Sequence, residues 1–251
     1  MKEQLYSAEK IVAKDLLGAL RILGGYYECP KDAQGKRLGP LVGYAGRDAQ
    51  GRQKVGDVYA NMAMLEEWPR LIGLPIAEDG TLEDLQLHKP TVVCAAPLGG
   101  MTIAPCLAGI LGLRYIFAEK KVTSLATDHS REKSKLVFAR HEPERGDRVV
   151  IVEDVCNNFS TTNELVELIQ QYGAEAVKIF CLLDRSPGSL NPSFFRTNAG
   201  RIILVKAVVR KPIPEYEQDD SAVAADITAG NVVWKAKDEW PRLMAAMSSN
   251  Q

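Results

Sequence analysis

Two adjacent carboxylates, Glu153 and Asp154, are the residues of this sequence best suited to chemistry. They follow a run of four β-branched residues and precede a short polar turn. A helix is predicted from Thr161, because Thr161 and Glu164 have the spacing of a capping box. The amides of such a turn and the helix dipole favour a phosphate, and the carboxylates suit sugar hydroxyls or a hydrated Mg²⁺. Two acids at the end of a buried strand are costly without a function, so the segment predicts a binding site.

The segments on either side of this pair alternate between apolar runs and amphipathic stretches. Strands are predicted at 91–96, 114–118, 149–154, 176–183 and 201–206, and helices at 102–112 and 161–172. Such alternation predicts βαβ units, and therefore an α/β fold with a twisted parallel sheet flanked by helices. Ligands should gather at the carboxyl ends of the strands. Further upstream, an amphipathic helix is predicted at 8–23 and a short hairpin around 41–44.

Three other polar segments, taken alone, have ordinary structural explanations. Residues 96–100, Ala-Pro-Leu-Gly-Gly, suit a tight turn between a strand and a helix, with glycine for close packing. Residues 120–140 carry six basic side chains against two acidic ones, which suits a solvated hairpin. Arg185 follows Asp184 at a predicted strand end, where an arginine is usually a surface residue.

Together, these segments resemble the type I phosphoribosyltransferases, and most closely their orotate phosphoribosyltransferase branch. The hydrophobic run, acidic pair and Ser/Thr-containing turn at 149–162 resemble the family's motif for phosphoribosyl pyrophosphate (PRPP). Segments 91–101, 113–120 and 182–186 resemble other family segments in order and spacing. The resemblance implies an α/β core at 91–207, preceded by an N-terminal helix and hood at 1–90. A C-terminal extension at 208–251 is expected to pack on the core.

The resemblance implies a Mg²⁺-dependent enzyme that transfers ribose 5-phosphate from PRPP to orotate. Its products would be orotidine 5′-monophosphate and pyrophosphate, which is a step of pyrimidine biosynthesis. Its partners would be these small molecules and a second copy of the chain in a homodimer. Two alternatives keep the fold. One is a phosphoribosyltransferase for a different base, and the other is a non-catalytic protein that senses PRPP or a nucleotide.

The resemblance also implies roles for individual residues. Lys120, Lys121 and Asp154 would be catalytic, with Asp154 influencing the metal through water. PRPP would be bound by Glu153, Asp154, Asn157, Asn158, Phe159, Ser160, Thr161 and Thr162. Pyrophosphate would be bound by Pro97, Leu98, Gly99, Gly100, Lys120, Lys121 and Arg140. Arg185 would hold the carboxylate of the base, because a guanidinium makes this bidentate contact better than an ammonium.

The turn after the acidic pair departs from the family pattern. The family usually carries Thr-Gly-Gly-Ser/Thr there, whereas this chain has Asn158, Phe159, Ser160 and Thr161. Glycine permits unusual dihedral angles and close approach to a phosphate, and Asn158 can adopt a left-handed conformation in its stead. If the turn still holds a phosphate, the Phe159 ring must point away from the ligand. If the ring fills the pocket instead, PRPP should not bind.

Composition limits the other possibilities. The chain has 251 residues and a net charge of −1, from 31 basic and 32 acidic residues, which gives no general argument for nucleic acid. No apolar run approaches ~20 residues, so no membrane span is expected, and the first residues lack the apolar segment of a signal peptide. The five cysteines include no C-x-x-C pair and the three histidines have no zinc-ligand spacing. The cysteines therefore suit reduced thiols of a cytoplasmic protein.

Overall fold

The computed structural model describes residues 2–78, 80–124, 133–186 and 194–248. It divides the chain into two compact units, one of Met1–Leu65 with Pro212–Gln251 and one of Glu66–Lys211. The helices are α1 Lys2–Ile11, α2 Leu16–Ile22, α3 Ala63–Glu66, α4 Pro69–Ala77, α5 Thr81–Leu87, α6 Gly100–Leu111, α7 Ser160–Gln171, α8 Ala224–Thr228 and α9 Trp240–Ser248. The strands are β1 Tyr26–Glu28, β2 Leu41–Arg47, β3 Gln53–Gly56, β4 Val58–Ala60, β5 Val92–Ala95, β6 Arg114–Phe117, β7 Glu119–Ser124, β8 Lys133–Val137, β9 Arg148–Cys156, β10 Glu175–Asp184, β11 Phe194–Arg196, β12 Ile202–Arg210 and β13 Val232–Val233.

The larger unit is built on a mostly parallel sheet, which confirms the predicted α/β fold. Within the described residues this sheet has six strands, in the order β11-β12-β10-β9-β5-β6. All its neighbouring strands pair in parallel except β11, which is antiparallel to β12. Strand β10 is buried along nearly its whole length, as expected of a central strand covered on both faces. The side chains of β9 and β10 pack with one face of α7 in a continuous apolar core.

The parallel strands end at one edge of this sheet, and the polar segments singled out in the sequence follow there. Gly99 and Gly100 come shortly after β5, and Arg185 comes directly after β10. Strand β9 runs two residues beyond its predicted end and carries Glu153 and Asp154 near its own carboxyl end. The sheet therefore gathers these segments at the edge where open α/β sheets bind ligands.

The smaller unit contains the predicted hairpin and most of the C-terminal extension. Strand β2 pairs antiparallel with β3, which confirms the hairpin, and it pairs in parallel with β13 from the C-terminal segment. The indole N–H of Trp240 donates to the carbonyl oxygen of Gly24 at 2.9 Å. Arg37 forms ion pairs with Asp57 and Asp226. These contacts lie within the smaller unit, and the packing of residues 208–251 on the core stays a prediction.

The predicted single helix at 8–23 is wrong, because the structure has two helices there. Helix α1 ends at Ile11 and α2 begins at Leu16. Asp15 provides the N-cap of α2, since its carboxylate accepts the backbone N–H of Gly18 at 2.8 Å. No helix in the described part of the chain is long and apolar enough to span a bilayer.

Candidate active site

The acidic pair lies at the carboxyl edge of the sheet, and both residues are partly buried. Burial and the neighbouring Asp154 carboxylate raise the pKa of Glu153 to about 8, and the Lys120 ammonium opposes this rise. Asp154 accepts the backbone N–H of Val155 through Oδ1 at 2.8 Å. The charge of Lys120, a residue predicted to bind pyrophosphate, therefore acts on the acidic pair.

Glu153→Gln is expected to remove a pH dependence of stability. The pKa of Glu153 is raised in the folded state, so between its ordinary value and about 8 the unfolded chain binds fewer protons than the folded one. The free energy of unfolding of the wild type should therefore fall as pH rises through this window. The free energy of unfolding of the Glu153→Gln variant should fall less over the same window. Urea unfolding of both proteins at intervals from pH 5 to 9 measures the difference. Parallel curves would contradict the raised pKa.

The glycine-containing turn lies directly against β9. A Cβ atom on Gly99 would overlap the carboxylate of Asp154, and one on Gly100 would overlap the backbone carbonyl of Val152. The peptide bond between Pro97 and Leu98 is cis. The two glycines therefore allow the start of α6 to approach the acidic strand more closely than any other residue would permit.

A cavity of about 420 Å³ opens beside this turn. Its lining residues come from the turn, from α6, from the end of β6 and the start of β7, and from the segment after β8. They are Pro97, Leu98, Met101, Phe117, Ala118, Glu119, Lys120 and Arg140. Four of them, Pro97, Leu98, Lys120 and Arg140, belong to the set predicted to bind pyrophosphate. Arg140 forms an ion pair with Glu119 at 3.2 Å. Lys121 is exposed and, because side chains alternate along a strand, points to the other side of the hairpin from Lys120.

The rest of the predicted basic segment is only partly described. Strands β7 and β8 form an antiparallel hairpin in which Lys120 lies opposite Leu136. Residues 125–132 lie outside the described residues, and this includes Asp128, His129, Arg131 and Glu132. The hairpin therefore carries two residues of the predicted pyrophosphate set, Lys120 and Lys121, on β7.

The turn between β9 and α7 has a geometry that the sequence did not predict. Phe159 adopts a left-handed conformation with φ 56°, and α7 begins at Ser160, without a side-chain cap. The predicted capping box is therefore wrong, because Thr161 lies inside the helix. The carboxamide Oδ1 of Asn158 accepts both the backbone N–H of Ser160 at 3.2 Å and its hydroxyl at 3.1 Å. Thr162 is buried, whereas Asn158 and Ser160 are exposed, so the latter two offer the accessible polar groups of the turn.

The Phe159 ring packs in an apolar environment. It stacks on Phe195 of β11, with ring centroids 5.0 Å apart and planes 20° apart, and it contacts the core of the larger unit. This is the position required if the polar groups of the turn are to face a ligand.

Two substitutions of Phe159 are expected to separate its backbone strain from its packing. Phe159→Ala and Phe159→Gly both remove the ring contact with Phe195, and both should lower the free energy of unfolding. Glycine, unlike alanine, has no penalty at positive φ, so the alanine variant should be less stable than the glycine variant by about 1 kcal/mol. Urea unfolding of the two variants provides the comparison. A glycine variant no more stable than the alanine variant would contradict the left-handed conformation.

Arg185 follows β10 and is buried, with 7% of its surface exposed. Its backbone N–H donates to the carbonyl oxygen of Cys156 at 2.9 Å, so it lies beside the end of β9. The adjacent Asp184 carboxylate is fully buried and accepts the N–H of Ser186 at 2.9 Å and its hydroxyl at 2.6 Å. It also forms an ion pair with Arg210, its register partner at the end of β12. Sequence reasoning missed Arg210, whose only signal is its position at the end of an apolar run.

No cluster of three or more His, Cys, Asp or Glu side chains that could hold a metal ion occurs among the described residues. A divalent cation beside Glu153 and Asp154 would therefore need oxygen ligands from water and from a bound substrate. This is how Mg²⁺ is usually held in phosphate-transfer sites.

The fold and site define an α/β protein whose sheet edge combines a close glycine turn, an acidic pair and the start of a helix, a combination suited to a phosphorylated sugar. Residues 77–209 match the phosphoribosyl transferase domain family. Because this match covers more than half of the chain, the protein belongs to that family.

Named relatives agree with this membership, and a solved structure agrees with the fold. A relative named orotate phosphoribosyltransferase, from Caldanaerobacter subterraneus subsp. tengcongensis, is 25% identical over 167 residues, which are 66% of this chain and 77% of the relative. A second, orotate phosphoribosyltransferase 2 from Mesorhizobium japonicum, is 34% identical over 131 residues, or 52% of this chain and 58% of the relative. The crystal structure of orotate phosphoribosyltransferase from Aeropyrum pernix superposes with a TM-score of 0.50 at 19% identity, covering 78% of this chain and 93% of that one. At this identity the superposition supports the fold alone.

Proposed function

We propose that the protein transfers ribose 5-phosphate from PRPP to orotate, giving orotidine 5′-monophosphate and pyrophosphate. The observation that carries the proposal is the cavity in which Pro97 and Leu98 meet Lys120 and Arg140. The turn that lines this cavity also lies against Asp154 through Gly99. Relatives named orotate phosphoribosyltransferase favour orotate as the base.

The reaction is a displacement at the anomeric carbon of the ribose and needs no side-chain nucleophile. Catalysis then depends on holding PRPP and the base in line and on stabilising the departing pyrophosphate. Glu153 and Asp154 would hold the ribose hydroxyls, and the segment 157–162 would hold the 5′-phosphate. Residues 97–100 would contribute backbone groups to the pyrophosphate. Lys120 and Arg140, which line the cavity, would contribute positive charge.

A 5′-phosphate on the 157–162 segment would change one contact of the turn. The amide of Ser160 is already bonded to the carboxamide of Asn158, so a phosphate oxygen would either replace that carboxamide or bind beside it. The exposed hydroxyl of Ser160 and the start of α7 then provide donors. The stacking of Phe159 on Phe195 supports this arrangement, because it keeps the ring among apolar neighbours.

The residues present fit Mg²⁺ as a cofactor bound together with its substrate. The two adjacent carboxyl groups offer oxygen atoms, directly or through water, and the pyrophosphate of PRPP would offer the others. When bound, Mg²⁺ would neutralise charge on the pyrophosphate group. Asp154 is the residue expected to influence it, through water.

A direct test is to incubate the purified protein with PRPP, Mg²⁺ and a panel of free bases that includes orotate, and to measure pyrophosphate release. Release with orotate, and with no other base of the panel, supports the proposal. Release with another base keeps the reaction and changes the substrate. Saturable binding of PRPP by calorimetry without release would favour the sensing alternative, and a flat titration would reject a PRPP site.

Arg185→Ala is expected to raise KM for orotate far more than KM for PRPP. The loss of a charge-assisted contact to the carboxylate of the base is expected to cost about 1.5–3 kcal/mol. Steady-state kinetics with each substrate varied in turn measure the two effects. Arg196→Ala is the control. Arg196 pairs with Ile202, the first residue of β12, so it lies at the amino ends of the parallel strands, away from the site. Equal effects on both substrates would count against Arg185 as the base-binding residue.

We further propose that the protein is a cytoplasmic homodimer. All five cysteines are free thiols, which suits a reducing compartment. Light scattering coupled to size-exclusion chromatography tests the dimer, and a monomer at micromolar concentration would reject it.

A further inference from the structure

Glu164 contacts a distant strand instead of capping its own helix. Its Oε1 accepts the backbone N–H of Leu136 in β8 at 2.6 Å, and the two residues are 28 positions apart. Among the described strands, β8 pairs only with β7, so its other side is an edge whose amides need partners. The carboxylate of Glu164 satisfies one of these amides.

The amide bound by Glu164 belongs to the residue directly opposite Lys120. Leu136 and Lys120 are register partners in the hairpin, and Lys120 lines the cavity. A displacement of Leu136 would therefore displace Lys120 with it. Glu164 itself lies in the first turns of α7, the helix that begins at the turn predicted to hold the 5′-phosphate.

Apolar contacts also join β8, and the residue after it, to α7 and its C-cap residue Tyr172. The side chain of Leu136 is buried in the core that includes one face of α7. The ring of Phe138 meets Tyr172 edge to face, with centroids 5.5 Å apart. Burial of the Leu136 side chain is non-directional, whereas a short hydrogen bond to a carboxylate holds its amide at one point.

We propose that Glu164 is a positioning residue that fixes the β7–β8 hairpin against α7, and thereby fixes the distance between Lys120 and the 157–160 turn. This inference rests on the proposed function, in which these two groups hold opposite ends of PRPP. The pyrophosphate and the 5′-phosphate are joined through one ribose. The groups that bind them must therefore lie at the matching distance from each other when PRPP is bound. A displacement of about 1 Å of one binding group relative to the other can lower the rate up to 100-fold.

The kinetic test compares three variants. Glu164→Ala removes the acceptor and is expected to lower kcat about tenfold, as loss of one charge-assisted hydrogen bond would, with KM for the base within about twofold of wild type. Glu164→Gln keeps an acceptor oxygen and is expected to retain activity within about threefold. The control is Glu167→Ala on the same helix, because Glu167 bonds the side chains of Asn163 and Asn198 and not β8. Its kcat should stay within about twofold of wild type.

Hydrogen exchange of the Leu136 amide tests the anchor without turnover. Exchange should be faster in Glu164→Ala than in the wild type, and unchanged in Glu167→Ala. Unchanged exchange in Glu164→Ala, or faster exchange with unaltered kcat, would overturn the inference. If the wild-type protein releases no pyrophosphate with any base, the proposed function fails, and the exchange rate still decides whether Glu164 anchors β8.

Discussion

Asp154→Asn is expected to lower kcat/KM for PRPP by roughly two orders of magnitude, as loss of a preorganised charge at a reacting centre typically does. The substitution keeps the shape of the side chain and removes its charge. The asparagine oxygen can still accept the amide of Val155, so folding should be little affected. Removal of the charge should also lower the pKa of Glu153, because the Asp154 carboxylate contributes to raising it.

The measurement combines steady-state kinetics with urea unfolding of the same preparations. Glu175→Gln is the control, since Glu175 lies at the opposite edge of the sheet, where it pairs with Arg148 and Arg201. Its exposed ion pairs contribute at most about 1 kcal/mol each, and its kinetics should match the wild type. Near-normal turnover in Asp154→Asn would reject the role proposed for the acidic pair.

The fold was predictable because the central strands are apolar runs that alternate with an amphipathic helix. The apolar runs that became β9 and β10 are each followed by a polar segment, and between them lies one amphipathic helix. This pattern leaves a parallel sheet as the natural arrangement. Their ends were less certain: β9 continues to Cys156 because Val155 and Cys156 still pair with Leu183 and Asp184 of β10. Such pairing depends on the neighbouring strand and is not visible in a single segment.

Local signals failed where a distant partner or an unusual backbone conformation decided the structure. Thr161 and Glu164 have the spacing of a capping box, yet the left-handed Phe159 starts the helix one residue earlier. Glu164 then bonds Leu136, which no local pattern indicates. The break between α1 and α2 did carry a local signal, since Asp15 is a good N-cap residue within an otherwise amphipathic stretch.

The candidate site was predictable as a set of segments, but not as a set of contacts. The motif resemblance selected Pro97, Lys120 and Arg140, and the structure brings them to one cavity. It did not select Glu119, which pairs with Arg140, or Arg210, which pairs with Asp184. Arg210 belongs to β12, and its pairing with Asp184 follows from the order of the strands in the sheet, which the sequence alone does not specify. Glu119 lies in the hairpin segment itself, and its pairing with Arg140 depends on side-chain positions that the motif does not indicate.

Gly100→Ala is expected to destabilise the larger unit strongly. A Cβ atom on Gly100 would overlap the carbonyl oxygen of Val152 and lie 3.4 Å from the Cα atom of Ala95. Both neighbours are backbone atoms of paired strands, so neither can move without disturbing the sheet. Overpacking of this kind costs about 1–3 kcal/mol and sometimes more. The free energy of unfolding in urea should fall by at least that amount, and the shift of α6 away from β9 should also weaken pyrophosphate binding.

Gly109→Ala is the matched control for this substitution, because Gly109 lies in the same helix and is exposed. Apart from the neighbouring backbone of its own helix, no atom lies within 4 Å of the place that a Cβ atom would occupy. There the alanine should raise the free energy of unfolding by about 0.5–1 kcal/mol, since it only improves helix propensity. Changes of opposite sign in the free energy of unfolding for the two substitutions would establish that the close approach of α6 to β9 requires glycine at position 100. A stability of Gly100→Ala equal to that of Gly109→Ala would mean that the turn does not lie against the acidic strand, and the pyrophosphate site built on that contact would be lost with it.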